Sequence, residues 1–273
     1  CAQLVADYGM KNIVPEAEKW VDLARRNNVE RAERYAAEAY LLVAKGEAVQ
    51  AEQLITRLTN NGIRHAKILH ALSVALLAQG KAKEAQKAAE EGQKLSSSLV
   101  RLPIAQGDAL LAQGQYAAAR NAYRRALAQN GEHLRARVAI ALADAVSREG
   151  KPALLLHETN KLLEAAQDPQ TGHNPPRLVA FIHYTRAEID LMAADPEAAV
   201  KEAEAALQVD AGLFEAMAAK GRAFVRLKKF DEAKKAFDEA LRMSPTSLPV
   251  ARQAYLSLSF AGKAAEGVVY LQL

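Results

Sequence analysis

The sequence has little of what marks a disulfide scaffold, a membrane protein or a nucleic-acid binder. Its only cysteine is Cys1, so no disulfide can form within one chain. It contains no run of about 18 apolar residues, which excludes a membrane-spanning helix. Aromatic residues make up 5% of the chain, and the 36 Lys and Arg are interleaved with 32 Asp and Glu. Because nucleic-acid binding requires a one-sided basic stripe with stacking aromatics, we do not expect it.

The sequence also lacks a catalytic or metal-binding pattern. His65 and His70 are five residues apart, whereas paired metal ligands on one helical face are four apart. The serines at 96–98 have no histidine near them in sequence and no strand-to-helix elbow around them. Glycines occur singly and do not form a phosphate-binding loop. We therefore predict a protein that is not an enzyme, binds no metal and needs no cofactor.

The most informative stretch covers residues 220–245, KGRAFVRLKKFDEAKKAFDEALRMSP. Gly221 suits a close approach between two helices, and Ala233 on the following helix is small enough to permit it. Phe237 supplies bulk between them, and Pro245 ends the second helix because it has no N–H to donate. The full signature consists of Gly221, Phe224, Phe230, Ala233, Phe237, Ala240, Leu241 and Pro245. This pattern resembles the tetratricopeptide repeat, whose period is about 34 residues.

The same pattern recurs along the chain at the repeat period. Gly46, Gly80 and Gly114 are spaced 34 residues apart, and each follows an alanine-rich segment. Alanine is the best helix former and is small enough for close helix packing. The register is interrupted by a Pro-, Gly- and Asn-rich loop at residues 167–177. This loop is either a tolerated insertion or an additional contact for a partner.

The resemblance implies an all-α fold, a right-handed α-solenoid (superhelix) of about six to seven helix–turn–helix repeats. A single solenoid is expected to cover residues 1–273. We place the repeats near residues 1–31 (partial), 32–65, 66–99, 100–133, 134–169, 180–213, 214–247 and 248–273 (partial). Such an array has no single central core, because each repeat contacts only its neighbours.

Two expectations concern the ends of the array. Trp20 shares a helical face with Ala17 and Val21, so we expect it to anchor the core. The end helices carry apolar residues without the polar capping that a free terminus needs, namely Val5, Tyr8, Val268, Tyr270 and Leu271. Exposure of these end faces would favour one alternative function, a self-assembling scaffold.

In the family that the sequence resembles, the first helix of each pair lines a concave groove that holds the ligand. Residues adjacent to the packing positions, or three or four residues from them, are expected to face this groove. The predicted groove residues are Tyr40, His70, Val74, Leu77, Arg101, Ile104, Asp108, Leu111, Arg135, Val138, Leu142, Val146, Tyr184, Glu188, Leu191, Arg222 and Arg226. The apolar centre and charged flanks suit an extended peptide or an amphipathic helix. The clamp with which part of the family binds acidic tails is not matched, since its positions hold Ala36, His70, Val74, Ile104 and Asp108.

These features predict a non-catalytic protein–protein interaction scaffold whose oligomeric state the sequence leaves open. Ala2 follows Cys1, as in a mature bacterial lipoprotein sorted to the outer membrane, and a lipid on Cys1 would be the protein's link to a membrane. The protein would then act in the bacterial periplasm, in an assembly, secretion or export machine. Alternatively, Cys1 is only the boundary of an excised piece. In that case the chain is cytoplasmic, or it is the substrate-recognition module of a larger enzyme or exporter.

Overall fold

Paired helices account for nearly all of the structure. The structure is a computed structural model that describes residues 14–27, 32–131, 133–168, 176–245 and 247–271. In chain order the helices are α1 (Val14–Arg26), α2 (Ala32–Ala44), α3 (Ala48–Asn60), α4 (Ala66–Ala78), α5 (Ala82–Leu95), α6 (Arg101–Ala112), α7 (Tyr116–Gln129), α8 (Leu134–Val146), α9 (Pro152–Gln167), α10 (Pro176–Met192), α11 (Pro196–Val209), α12 (Phe214–Arg226), α13 (Phe230–Met243), α14 (Leu248–Phe260) and α15 (Ala264–Gly267), followed by a 3-10 turn at Val268–Leu271. These described residues include no strand. Seven helix pairs follow α1, which confirms the predicted all-α array of helix–turn–helix repeats.

Turns with a left-handed residue join the two helices of several pairs. After α4, the N–H of Gly80 (φ 75°) donates to the carbonyl of Leu77 at 2.9 Å, and Lys81 donates to Leu76 at 2.9 Å. This is the hydrogen-bond pattern that closes a helix on a left-handed residue. Gly114 (φ 74°) ends α6 in the same way. Because a Cβ atom disfavours this conformation, glycines at the repeat spacing made these turns predictable.

The chain divides into two compact units, residues 1–140 (unit 1) and residues 141–273 (unit 2), and the division falls inside α8. In unit 1, each helix from α1 to α6 packs against the next one along the chain. The first helices of successive pairs also contact one another, α2 with α4 and α4 with α6. These three helices therefore lie side by side and form one face of unit 1.

Glycine on a first helix makes room for an aromatic ring on the second helix of the pair. In unit 1, a Cβ atom at Gly107 of α6 would lie 2.4 Å from Cε1 of Tyr123 in α7. In unit 2, a Cβ atom at Gly221 of α12 would lie 2.8 Å from Cε1 of Phe237 in α13. Both rings are completely buried. The two helices of each pair can approach this closely because no side chain separates the glycine from the ring.

Unit 2 repeats this packing scheme. Each helix from α9 to α15 packs against the next, and the first helices α10, α12 and α14 contact their neighbours in turn. Tyr270, which we expected on an exposed end face, is instead buried. Its ring centroid lies 6.0 Å from that of Phe237, and its hydroxyl donates to Asp238 at 2.8 Å. Val268 and Leu271 are exposed at 45% and 55% and form the apolar remainder of that end face.

Trp20 does not anchor the core of unit 1, and that prediction was wrong. Its side chain is 58% exposed, with Nε1 3.4 Å from a carboxylate oxygen of Glu16, whereas Ala17 and Val21 are buried. Trp20 follows Ala17 by three residues but precedes Val21 by one, so it lies at the margin of the buried stripe.

Some predictions fall on residues outside those that the structure describes. They concern Cys1, Val5 and Tyr8, and most of the loop at 167–177. Helix α9 ends at Gln167 and α10 begins at Pro176, in agreement with an interruption between the two.

Candidate partner-binding surface

A recess of about 330 Å³ lies where the first helices of unit 1 come together. It is lined by Tyr40, Lys67, His70, Ser98, Leu99, Val100, Arg101 and His133. Tyr40 comes from α2, His70 from α4 and Arg101 from the start of α6. The structure thus brings together three of the predicted groove residues, which are far apart in sequence.

Tyr40 and His70 form a buried polar pair at this recess. The Tyr40 hydroxyl lies 2.5 Å from Nδ1 of His70, and the two ring centroids are 5.7 Å apart in an edge-to-face arrangement. Burial, and after it the positive charge of Arg101, lower the pKa of His70 to about 4, against a smaller opposing effect of Asp108. His70 is therefore uncharged near neutral pH.

Charged side chains surround the recess. Lys67 forms an ion pair with Glu33 at 2.9 Å. Nδ1 of His133 is buried and has no hydrogen-bond partner among the described residues. The pKa of His133 is lowered by burial and then by the charges of Arg135 and Arg101. Burial and the nearby positive charge thus both disfavour the imidazolium form of His133.

Asp108 and Arg135, two further predicted groove residues, pair with each other. Arg135 donates to one carboxylate oxygen of Asp108 at 2.8 Å, and the Tyr123 hydroxyl donates to the other at 2.8 Å. Burial and the negative charge of Asp108 raise the pKa of Tyr123 well above its usual range. The Asp108 carboxylate therefore ties the first helix α6 to α7 and to the start of α8.

In unit 2 the predicted groove residues of α10 and α12 form a second polar cluster. Glu188 is only 4% exposed and forms an ion pair with Arg222, 34 residues further along. Burial raises the pKa of the Tyr184 hydroxyl well above its usual range, and that hydroxyl also donates to Glu188. Arg226 donates to the carbonyl of Leu191 at the end of α10. These contacts bind the first helices of two successive repeats to each other.

Sequence reasoning missed a network on the other side of α10. Nδ1 of His183 lies 2.7 Å from Glu202, and Nε of Arg186 donates to Glu202 at 2.8 Å. Burial alone would raise the pKa of Glu202, but the hydrogen bond with His183 and the charge of Arg186 outweigh it and lower that pKa. Arg186 also donates to Asn160 of α9. No sequence pattern indicated that these helices meet at a shared carboxylate.

Asp190 lies near this network and provides a test of its electrostatics. Burial and the negative charge of Glu202 raise its pKa from 3.8 to about 6. Because the folded-state pKa lies above the unfolded value, this carboxyl destabilises the fold increasingly as pH rises from about 4 to above about 6. We expect Asp190→Asn to raise the free energy of unfolding at about pH 7.5 by up to about 3 kcal/mol, with little effect at about pH 4.

Thermal unfolding followed by circular dichroism at the two pH values measures this difference. The exposed Asp231 on α13 supplies the control, since Asp231→Asn should change the melting temperature equally little at both. If Asp190→Asn changed the melting temperature equally at both pH values, the charge of Asp190 would not be unfavourable to the fold.

The remaining predicted groove residues differ in how far their side chains are buried. Val138 and Leu142 of α8 are 0% and 1% exposed, so the structure offers neither to a partner and the prediction that they face a groove is corrected. Ile104 and Leu191 are also buried, whereas Val74, Leu77, Leu111 and Val146 are half-buried and Arg226 is exposed. The role of the accessible residues in binding stays a prediction.

Five recess residues were absent from the prediction, although a sequence signal existed for the first of them: Lys67, Ser98, Leu99, Val100 and His133. Lys67, Arg101 and Arg135 are spaced 34 residues apart, so they occupy the same position in three successive repeats. A search for charge conserved in register along the repeats would have found Lys67. His133 and the turn at 98–100 give no such signal, because they lie in the turns that join one helix pair to the next.

The described residues show neither a metal-binding cluster nor a membrane-spanning helix. No group of three His, Cys, Asp or Glu among them is arranged to hold a metal ion. None of the described helices combines the length and the hydropathy needed to cross a bilayer.

Comparison with known proteins identifies the repeats. Residues 104–150 and residues 214–247 each match the tetratricopeptide repeat family. No curated protein matches the chain significantly. These two segments of the chain are thus tetratricopeptide repeats, and repeats of this family typically serve as non-catalytic scaffolds for protein interaction.

Solved structures share the same fold over nearly the whole chain. A tetratricopeptide repeat protein from Parabacteroides merdae is 16% identical, with a TM-score of 0.60 over 94% of this chain and 98% of that one. A chain of the APC/C hetero-tetramer Cut9–Hcn1 is 16% identical, with a TM-score of 0.64 over 96% of this chain. The human IFIT1 dimer with m7Gppp-AAAA is 14% identical, with a TM-score of 0.62 over 99% of this chain. This chain spans 48% of the Cut9–Hcn1 chain and 66% of the IFIT1 chain.

Proposed function

We propose that the chain binds a peptide or an amphipathic helix of a partner protein on the face formed by α2, α4 and α6. The observation that carries this proposal is the recess to which all three helices contribute, since it gives that face a concave, polar feature. The tetratricopeptide repeats supply the general role of protein interaction.

An apolar strip extends from the recess along the same helices. On α4, Val74 and Leu77 follow His70 by four and seven residues, so they lie on the face that His70 presents to the recess. On α6, Leu111 follows Arg101 by ten residues and occupies the repeat position of Leu77. Half-buried aliphatic side chains beside a polar recess suit a ligand with apolar anchors and a polar end.

Introducing positive charge into the apolar strip tests whether this face, rather than the rest of the surface, binds the partner. We expect the double variant Leu77→Lys/Leu111→Lys to weaken binding of peptides selected on the wild-type chain from a displayed library by at least about tenfold, because buried anchor contacts dominate peptide affinity. Fluorescence anisotropy with labelled peptides gives the affinities, and circular dichroism checks that helicity is kept.

The double variant Val49→Lys/Leu95→Lys is the matched control, since both residues lie on second helices and are more than half exposed. Selected peptides that bind the Leu77→Lys/Leu111→Lys variant as tightly as the wild type, but lose affinity for the control, would place the binding surface elsewhere.

We further propose a bacterial envelope setting, in an assembly, secretion or export machine at the outer membrane. Its support is the sequence pair Cys1–Ala2 alone. Expression of the complete precursor with a labelled fatty acid tests it. Label retained after Cys1→Ser, or no label at all, would remove this setting and leave the scaffold function intact.

A further inference from the structure

Opposite charges are interleaved along most of the chain, but helix α7 departs from this pattern. It carries Arg120, Arg124 and Arg125 and contains no Asp or Glu. Among the helices that the structure describes, α7 alone combines three cationic side chains with no acidic one. Because α7 is the second helix of its pair, it does not belong to the face formed by α2, α4 and α6. It therefore presents a separate, basic part of the surface of unit 1.

Two of these arginines are exposed, and neither is neutralised by a carboxylate. Arg124 forms no ion pair and no side-chain hydrogen bond within the described ranges. Nη2 of Arg125 donates to the amide oxygen of Gln106 in α6 at 2.5 Å, and this amide is neutral. Both positive charges are thus available to an acidic group that approaches α7 from solvent.

The amide that receives Arg125 is itself fixed by helix α5. Nε2 of Gln106 donates to a carboxylate oxygen of Glu90 at 2.8 Å, and Nε2 of Gln93 donates to the Gln106 oxygen at 3.0 Å. This network holds the Arg125 guanidinium in place while engaging only one of its nitrogens. Since a guanidinium has five N–H donors, the others can still reach a ligand. An arginine that is already positioned loses less conformational entropy on binding.

The small extent of the basic cluster indicates which kind of acidic partner it fits. Arg120 and Arg125 are five residues apart, which is about 7.5 Å along a helix. Nucleic acid bound through its phosphates uses a longer track of cations and aromatic side chains that stack on bases, and the exposed residues of α7 include no aromatic. Recognition of a membrane by charge alone uses about four to eight clustered cations. A short acidic segment of a protein suits this cluster better.

The exposed neighbours of the two arginines favour a helical form for that segment. Asn121 and Ala128 lie three residues before and four residues after Arg124, so they share its side of α7. Their side chains are short, which lets a partner helix approach α7 closely. Carboxylates along one face of such a helix can then meet Arg124 and Arg125 in the two-bond geometry that guanidinium groups prefer.

We propose that α7 is a second interaction surface, which binds an acidic helix of a protein partner through Arg124 and Arg125. This surface is distinct from the face formed by α2, α4 and α6. The proposal therefore stands or falls independently of peptide binding on that face.

Fluorescence anisotropy with a labelled peptide tests the surface on the whole chain. The probe is a capped, alanine-based helical peptide with glutamates along one face, and its neutral match has glutamines at the same positions. At about 50 mM salt, where exposed charges are weakly screened, we expect Arg124→Gln/Arg125→Gln to reduce the affinity for the acidic peptide about tenfold. Arg124→Lys/Arg125→Lys keeps the charge but loses the forked geometry, so it should recover only part of the affinity.

Lys19→Gln/Arg26→Gln is the matched control, since it removes two exposed cations from α1 and lowers the net charge equally. It should change the affinity by less than about twofold, because α1 does not contact the peptide. Circular dichroism checks that each variant keeps its helicity. Equal losses in the two glutamine variants would reduce the effect to net charge and overturn the proposal.

Further arms of the experiment distinguish the kind of ligand and its place. The proposal fails if the wild type does not bind the acidic peptide, or binds the glutamine peptide or a non-helical peptide of the same composition equally well. It also fails if an oligonucleotide or phosphatidylglycerol vesicles bind more tightly and with the same dependence on Arg124 and Arg125. Leu77→Lys/Leu111→Lys should bind the acidic helix no more weakly than the wild type does. A loss in that variant would place the acidic helix on the face formed by α2, α4 and α6.

Discussion

Replacing Phe237 with alanine should lower the free energy of unfolding of unit 2 by about 3 to 5 kcal/mol. The ring is completely buried between α12 and α14, where it touches Gly221 and lies edge-to-face with Tyr270. Alanine would leave a cavity, and neighbouring helices cannot collapse into it without losing their own packing. Urea unfolding followed by circular dichroism measures the loss.

Phe260→Ala is the matched control for this experiment. Phe260 lies in the same unit but is 88% exposed, so its removal should change stability by less than about 0.5 kcal/mol. Equal losses in the two variants would mean that Phe237 is not a packing residue. A repeat array can unfold in stages, so a loss confined to one transition would still count as the expected result.

Most of the fold was predictable because the packing contacts of a repeat recur at one spacing. Gly221 and Phe237 belong to the signature recognised in sequence, and the structure shows that the glycine makes room for the ring. Gly107 makes room for the Tyr123 ring in the same way in unit 1. Local contacts of this kind need only the sequence of one repeat, so their pattern specifies the helix pair.

The accessible face was harder to predict. A first helix packs against several others, as α6 does against α4, α5 and α7, so apolar positions extend around most of its circumference. Spacing then cannot tell a groove residue from a core residue, which is why Val138 and Leu142 were misplaced. The recess itself joins Tyr40 to His133, and a contact over that sequence distance is not encoded in any local pattern.

Arg222→Met should destabilise unit 2 by about 3 kcal/mol, because it leaves Glu188 buried without its ion-pair partner. Methionine keeps much of the apolar stem of the arginine, so the effect reports mainly on charge. The double variant Glu188→Gln/Arg222→Met removes the orphaned charge as well, and we expect it to recover at least about half of the loss.

The double-mutant cycle distinguishes charge from packing at this position. If Arg222 mattered only for packing, the double variant would be at least as unstable as Arg222→Met. Arg242→Met provides the matched control, because Arg242 pairs with Glu239 at the surface and solvent screens both partners. A comparable loss of stability in that control would show that burial does not strengthen the Glu188–Arg222 ion pair. The first helices α10 and α12 would then be held together by apolar contacts alone.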